Sequence, residues 1–305
     1  MPQNLRRQTT SGARIAPPRA PVPALPRLGD WQTVRLAAEG PSTLVYQSRP
    51  VNGSGSQPAA YALKVLTLQA ASQPESVARL QREAALGRFV THPHLLPVLA
   101  AHVSEPPYYF VTPWLEGQTV ASQLSQGALE VPTALWIARQ VAEALGSLHA
   151  HGWMHGDVKP ANIFLSPHGH VTLLDLGFAR RSDEACAPSR FIVMGTCEYL
   201  APEVVTPAMK PDHRSDLYSL GVTLFEMIAG RLPFRGQDAA SCVEAHCREC
   251  PPDLRGVAPR TPQPVARLVR ELLAKEPLRR PQTSAEVSAR LLRLEIDCFA
   301  LREIA

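Results

Sequence analysis

An α+β fold in two unequal parts is what the sequence predicts, on three observations. Short β-type runs fill the first hundred residues from Trp31 onward. Beyond Gly117 the apolar spacing changes to the helical period. The chain has 305 residues, 45% hydrophobic and 19% charged, which is enough to bury a sizeable core in one large or two coupled domains. A peptide hormone and a small disulfide scaffold are thereby excluded.

The elements follow in order. Residues 1–29 are rich in Pro, Arg and Ala without periodicity, so no apolar burial offsets the entropy of ordering them, and a disordered arm is expected. Residues 43–47 and 61–66 read as strands of a hairpin, because residues 49–56 between them carry turn chemistry. A charged helix is expected over 73–89, then apolar runs at 95–102 and 108–112. Ala138, Val141, Ala142, Leu145 and Leu148 mark one face of a helix. Residues 215–229 are apolar nearly all round, as in a buried central helix, whereas 265–273 and 284–301 have the pattern of peripheral amphipathic helices.

Net charge is +4, but Arg6, Arg7, Arg14, Arg19 and Arg27 stand in the arm without an acid, so the remaining body is close to neutral. No nucleic-acid partner is expected from that balance. The longest apolar stretch, 217–229, is too short to span a bilayer, and Arg6-Arg7 has no apolar run after it, so neither a membrane anchor nor a leader is expected. Six irregularly spaced cysteines suggest reduced thiols, and the reading is a cytoplasmic protein. Cys242, His246, Cys247 and Cys250 have a zinc-like Cys-x-x-Cys but no second pair, and read as ordinary helix residues. His149, His151, His168 and His170 read as surface or packing residues for the same want of a completing pattern.

The chemistry concentrates in His155-Gly156-Asp157-Val158-Lys159-Pro160-Ala161-Asn162-Ile163, with Asp175-Leu176-Gly177 thirteen residues past Asn162. Ahead of these stand Tyr61-Ala62-Leu63-Lys64 and Arg82-Glu83-Ala84. After them come Gly195-Thr196-Cys197-Glu198-Tyr199-Leu200-Ala201-Pro202-Glu203, Asp216 and Arg280. Over residues 31–295 this ordered set resembles the protein kinases, and looks closest to the bacterial-type serine/threonine kinases, because Asp157-Val158-Lys159 has the Ser/Thr rather than the Tyr pattern. The resemblance implies a two-lobed kinase fold over 30–295: a small β-rich N-lobe with one main helix (30–112), a hinge (113–117) and a larger helical C-lobe (118–295). Residues 296–305 would end the last helix.

The resemblance also implies roles that physical chemistry supports, since phosphoryl transfer is mostly positioning and charge neutralisation. Lys64 would meet the α and β phosphates of ATP, held by Glu83. Asn162 and Asp175 would offer hard oxygens to Mg²⁺, with Mn²⁺ as an alternative. Asp157 would accept the substrate hydroxyl's proton, and Lys159 would offset charge on the phosphate in transfer. Gly40 and Val45 would cover the nucleotide. Thr112 would gate the back of the adenine pocket, and Leu115 would read adenine through its backbone. His155, Gly177, Thr196, Glu203, Asp216 and Arg280 would hold the fold around these groups.

Three departures from the family pattern carry expectations. Ala38, Gly40 and Thr43 stand where three glycines usually do, so a stiffer loop and weaker ATP affinity are expected. Gly156 replaces an arginine that commonly pairs with a loop phosphate, so activity is expected not to depend on phosphorylation within 182–196. Cys197 stands in a usual proline's place, a change expected to be tolerated. The reading is an ATP-dependent kinase of Ser/Thr hydroxyls in protein substrates that also phosphorylates itself; the alternative is a pseudokinase that binds nucleotide or a partner.

Overall fold

Alternation along residues 61–66 decides the first layer. Leu63 and Val65 are buried while Lys64 faces the other side of the sheet. The computed structural model describes residues 26–52, 58–181, 184, 197–206 and 210–302. Its first sheet comprises β1 (Arg27–Leu28), β2 (Trp31–Glu39), β3 (Thr43–Pro50), β4 (Tyr61–Leu66), β5 (Ala100–His102) and β6 (Tyr109–Pro113). These run antiparallel in the order β1-β2-β3-β4-β6-β5. The expected hairpin is present, with Thr43 opposite Leu66 and Ser48 opposite Tyr61.

Two expectations need correction. Arg27–Leu28 pairs with Gln32 and Trp31, so ordered chain begins inside the stretch assigned to a disordered arm; main-chain pairing with β2 supplies what side-chain burial there does not. The arm's residues 1–25 lie outside the described residues. Of the apolar run 95–102, only Ala100–His102 is strand, while Leu95 makes an isolated bridge to Leu173.

The helices of the N-terminal part are α1 (Leu68–Ala71) and α2 (Pro74–Phe89). Pro74 opens α2 at a position whose N–H would lack a partner anyway. Leu80 and Ala84 seat it on Leu66, Val98 and Phe110. Gly117 then leads into the second part. It sits at φ +131°, and a Cβ there would lie 2.1 Å from the carbonyl oxygen of Leu165, so only glycine lets the connector pass.

The second part comprises α3 (Val120–Leu124), α4 (Val131–Ala150), α5 (Pro202–Val205), α6 (Arg214–Ala229), α7 (Ala239–Arg248), α8 (Leu254–Val257), α9 (Gln263–Leu272) and α10 (Ser284–Arg302). Small strands β7 (Gln118–Thr119), β8 (Trp153–Met154), β9 (Ile163–Leu165), β10 (Val171–Leu173) and β11 (Arg180–Arg181) interrupt them. The face of α4 read from the sequence is fully buried, and α6 is buried along nearly all its length. On α10, Val287, Leu291 and Leu294 are buried while Leu292 and Ile296 are exposed, the amphipathic pattern expected. Cys242 and His246 turn inward from α7, where His246 bonds the Tyr218 hydroxyl, and Cys250 is exposed. Among the described residues no helix is long and apolar enough to cross a membrane.

Candidate active site

The antiparallel β9–β10 hairpin fixes the site, because the loop entering it carries residues 155–162 and the loop leaving it carries Asp175. Facing that hairpin across a cleft of about 240 Å³ are β4 and α2; Thr43, Lys64, Glu83, Asp157, Lys159 and Asp175 line it.

Lys64 is clamped by Glu83, with Nζ 2.9 Å from Oε1 and 2.7 Å from Oε2, and lies 3.5 Å from Asp175 Oδ1. Burial alone would lower the lysine's pKa, but the carboxylates of Asp175 and Glu83 outweigh it and hold the ammonium above its ordinary value. For Asp175, burial acts to raise the pKa, and the Lys64 cation with the Gly177 N–H overrides it, keeping the carboxylate ionised. Asp175 adopts φ 63°, the one left-handed residue other than glycine among those described. Its side chain accepts the Gly177 N–H at 3.1 Å, which stabilises that turn.

Asp157 is buried, and its Oδ2 is engaged by Asn162 Nδ2 at 2.8 Å and Lys159 Nζ at 2.9 Å. Its Oδ1 is buried without a hydrogen-bond partner among the described residues. Asn162 Nδ2 also donates to the Asp157 carbonyl at 2.8 Å, which leaves the asparagine's amide oxygen without a hydrogen bond among the described residues.

Buried hydrogen bonds behind this loop fix it. Asp216 accepts the His155 N–H at 2.8 Å, the Gly156 N–H at 2.9 Å and His149 Nε2–H at 2.8 Å. Burial pushes the Asp216 carboxyl up, but His149 and these donors hold it below the ordinary carboxylate range. His155 Nε2–H donates to the Leu174 carbonyl at 2.9 Å while Nδ1 accepts the Asp157 N–H at 3.2 Å, a single neutral tautomer that serves both. His149, read from the sequence as a surface or packing residue, packs here, and on its other side it accepts from Ser284 Oγ at 2.8 Å. No local signal marks it, since its partners lie 67 and 135 residues away. Sequence reading missed the contacts of Arg79 and Arg82. Arg79 lies over the Phe178 ring at 4.8 Å and Arg82 Nη1 donates to the Ala179 carbonyl at 3.1 Å, tying α2 to the segment that follows Asp175.

Glu203 and Arg280 form a fully buried pair, Nη1 to Oε1 at 2.6 Å and Nη2 to Oε2 at 2.8 Å, with Ser215 Oγ donating to Glu203 at 2.7 Å. Gly40, Val45, Thr112 and Leu115 do not line the cleft itself. Val45 stands opposite Lys64 in the sheet and Thr112 opposite Ala62. The backbone N–H and C=O of Leu115 are without partners among the described residues. Gly40 is not in the left-handed region, and a Cβ there would meet nothing closer than the 3.6 Å of ordinary contact. Gly156 is the opposite case. At φ +79° a Cβ would sit 2.8 Å from the Phe178 carbonyl oxygen, so the position where the family has arginine requires glycine in this backbone. Thr196 lies outside the described residues.

The profile of the protein kinase domain matches residues 39–291. The chain belongs to the protein kinase family. Among curated relatives, it is 35% identical over 241 residues to the serine/threonine-protein kinase PknB of Mycolicibacterium smegmatis, covering 76% of this chain and 38% of that one. It is 28% identical over 262 residues to the serine/threonine-protein kinase PrkC of Bacillus subtilis, covering 86% of this chain and 40% of that one. The chain thus spans about two fifths of these relatives. Among solved structures, the kinase domain of Mycobacterium tuberculosis PknI, in a doubly substituted form, superposes with a TM-score of 0.68 at 24% identity, over 90% of this chain and 99% of that one. The two-lobed kinase fold read from the motifs is therefore the fold of this chain, with the cleft described above between its lobes.

Proposed function

We propose that this domain transfers the γ-phosphate of ATP to Ser or Thr hydroxyls of protein substrates, itself included, in a cytoplasmic setting without a nucleic-acid partner. The observation that carries the reading is Asp157. One carboxylate oxygen is held by Asn162 and Lys159, and the other is buried at the cleft with no donor among the described residues. An unpaired buried acceptor is costly unless a ligand completes it, and a substrate hydroxyl supplies the missing donor.

The other roles follow from the same geometry. Asp157 orients the hydroxyl and takes its proton as the oxygen attacks. Lys64, kept charged by Glu83, offers its ammonium to the α and β phosphates. Lys159 offsets charge on the phosphate in transfer. Leu115 reads adenine with its backbone N–H and C=O, beside Thr112. The donor set suits a hard cation: an ionised carboxylate on Asp175 and an amide oxygen on Asn162 that no described residue engages, on either side of one hairpin. Mg²⁺, or Mn²⁺ in its place, would supply neutralisation of the phosphate oxygens there. His155, Gly177, Thr196, Glu203, Asp216 and Arg280 hold these groups in register. With Gly156 in the arginine's place, activity does not depend on a phosphate within 182–196.

The test is transfer of labelled γ-phosphate with Mg²⁺ and separately Mn²⁺, to the protein itself and to a basic generic substrate, comparing wild type with Asp157→Asn. Removing the base should lower kcat by about 10²–10⁴-fold with little change in KM for ATP. Equal incorporation by two folded proteins would overturn the reading.

A further inference from the structure

A second cavity lies away from the cleft. Between α6, α8 and α9 lies an open groove of about 660 Å³, which shares no residue with the catalytic cleft. Phe225, Leu254 and Leu273 form its apolar floor, and Pro251, Pro252 and Pro264 stand along its sides. The prolines have fixed φ and no N–H, so these walls are stiff and offer an incoming strand carbonyl acceptors but no N–H donors.

The rim carries Arg255, Arg267 and Arg270, all exposed. The guanidinium groups of Arg255 and Arg270 have no partner among the described residues. Arg267 reaches Glu271 only at 4.0 Å and is 65% exposed. The one acid of the lining, Asp253, is already in use as the cap of α8, where it accepts the Arg255 N–H at 3.2 Å. The groove therefore joins a preformed apolar floor to an excess of uncompensated positive charge, in a body that is otherwise close to neutral.

We propose that this groove docks an acidic linear segment of a partner protein, with carboxylates on the three arginines and an apolar side chain over Phe225 and Leu273. Charge complementarity selects the sign of the partner, and the arginine fork fits a carboxylate through two parallel hydrogen bonds. The open shape suits an extended chain rather than an enclosed small molecule. Rigid walls lower the ordering cost of binding. The proposal does not rest on phosphoryl transfer, and its test reads binding directly.

The experiment is fluorescence polarisation of a labelled short peptide alternating glutamate and leucine, titrated with the full chain. Two counterparts are run beside it, one with glutamine and one with phosphoserine in place of glutamate. The glutamate peptide should bind, weaken as salt is raised, and outbind the glutamine form. Arg255→Glu with Arg270→Glu should weaken it by about tenfold or more, whereas Arg293→Glu, an exposed arginine outside the groove, should leave it unchanged. Because all three positions are exposed, unaltered melting curves should accompany these results. Equal binding of the glutamate and glutamine peptides, or an equal loss with Arg293→Glu, would overturn the proposal. Binding of the phosphoserine form alone would overturn it in favour of a phosphorylated partner.

Discussion

Single residues set the chemistry of this domain through what each of their atoms is already doing. Asp157 gives one carboxylate oxygen to two neighbours and keeps the other without a donor among the described residues, and Lys64 is charged because two carboxylates face it. Gly156 has the narrowest tolerance. The family pattern has an arginine there, but this backbone is left-handed and a Cβ would sit 2.8 Å from the Phe178 carbonyl oxygen. Gly156→Arg should therefore lower stability by about 1–3 kcal/mol and reduce kcat, through displacement of the adjoining Asp157. A melting curve and a single kinetic series on the variant check this; an unshifted midpoint with higher activity would contradict it.

At the scale of elements, the domain is held by ion pairs that join pieces distant in sequence. Glu83 on α2 reaches Lys64 on β4, and Arg79 and Arg82 on the same helix reach the segment after Asp175, so the position of one helix sets both the lysine and the loop of Asp175. Glu203 on α5 meets Arg280 ahead of α10, and Ser215 and the Arg214 carbonyl on α6 complete the network. All five guanidinium donors of Arg280 are used, the others on the carbonyls of Ala274 and Lys275. Arg280→Met would leave the Glu203 carboxylate buried and unpaired, at a cost of about 3–5 kcal/mol. Urea denaturation should show that loss as a lower midpoint, and a change below about 1 kcal/mol would mean the pair behaves like an exposed one.

For the whole molecule, burial couples stability to pH through His246. Desolvation, with the Lys275 cation nearby, brings its imidazole down to about 4, against an ordinary value near 6.5. The folded state thus keeps it neutral where the unfolded chain binds a proton. Stability is full above about pH 6.5 and is lost as pH falls toward 4, by roughly 2 kcal/mol between pH 7 and pH 5. Denaturation midpoints should show that slope in wild type and a shallower one in His246→Gln; parallel slopes would remove His246 as the cause. The family, the two-part division and the faces of α4 and α10 were legible in the sequence alone, as were the residues proposed to carry the chemistry. Those signals are local: a loop of eight residues from His155 to Asn162, a strand alternation, a helical period. It took the packed chain to show that His149 links Asp216 to Ser284, that Gly156 needs its positive φ while Gly40 does not, and that three arginines meet over an apolar floor. Periodicity and propensity fix which way a residue faces within its own element. The partner of a buried polar atom depends on how elements far apart in the chain pack, and no local pattern encodes that.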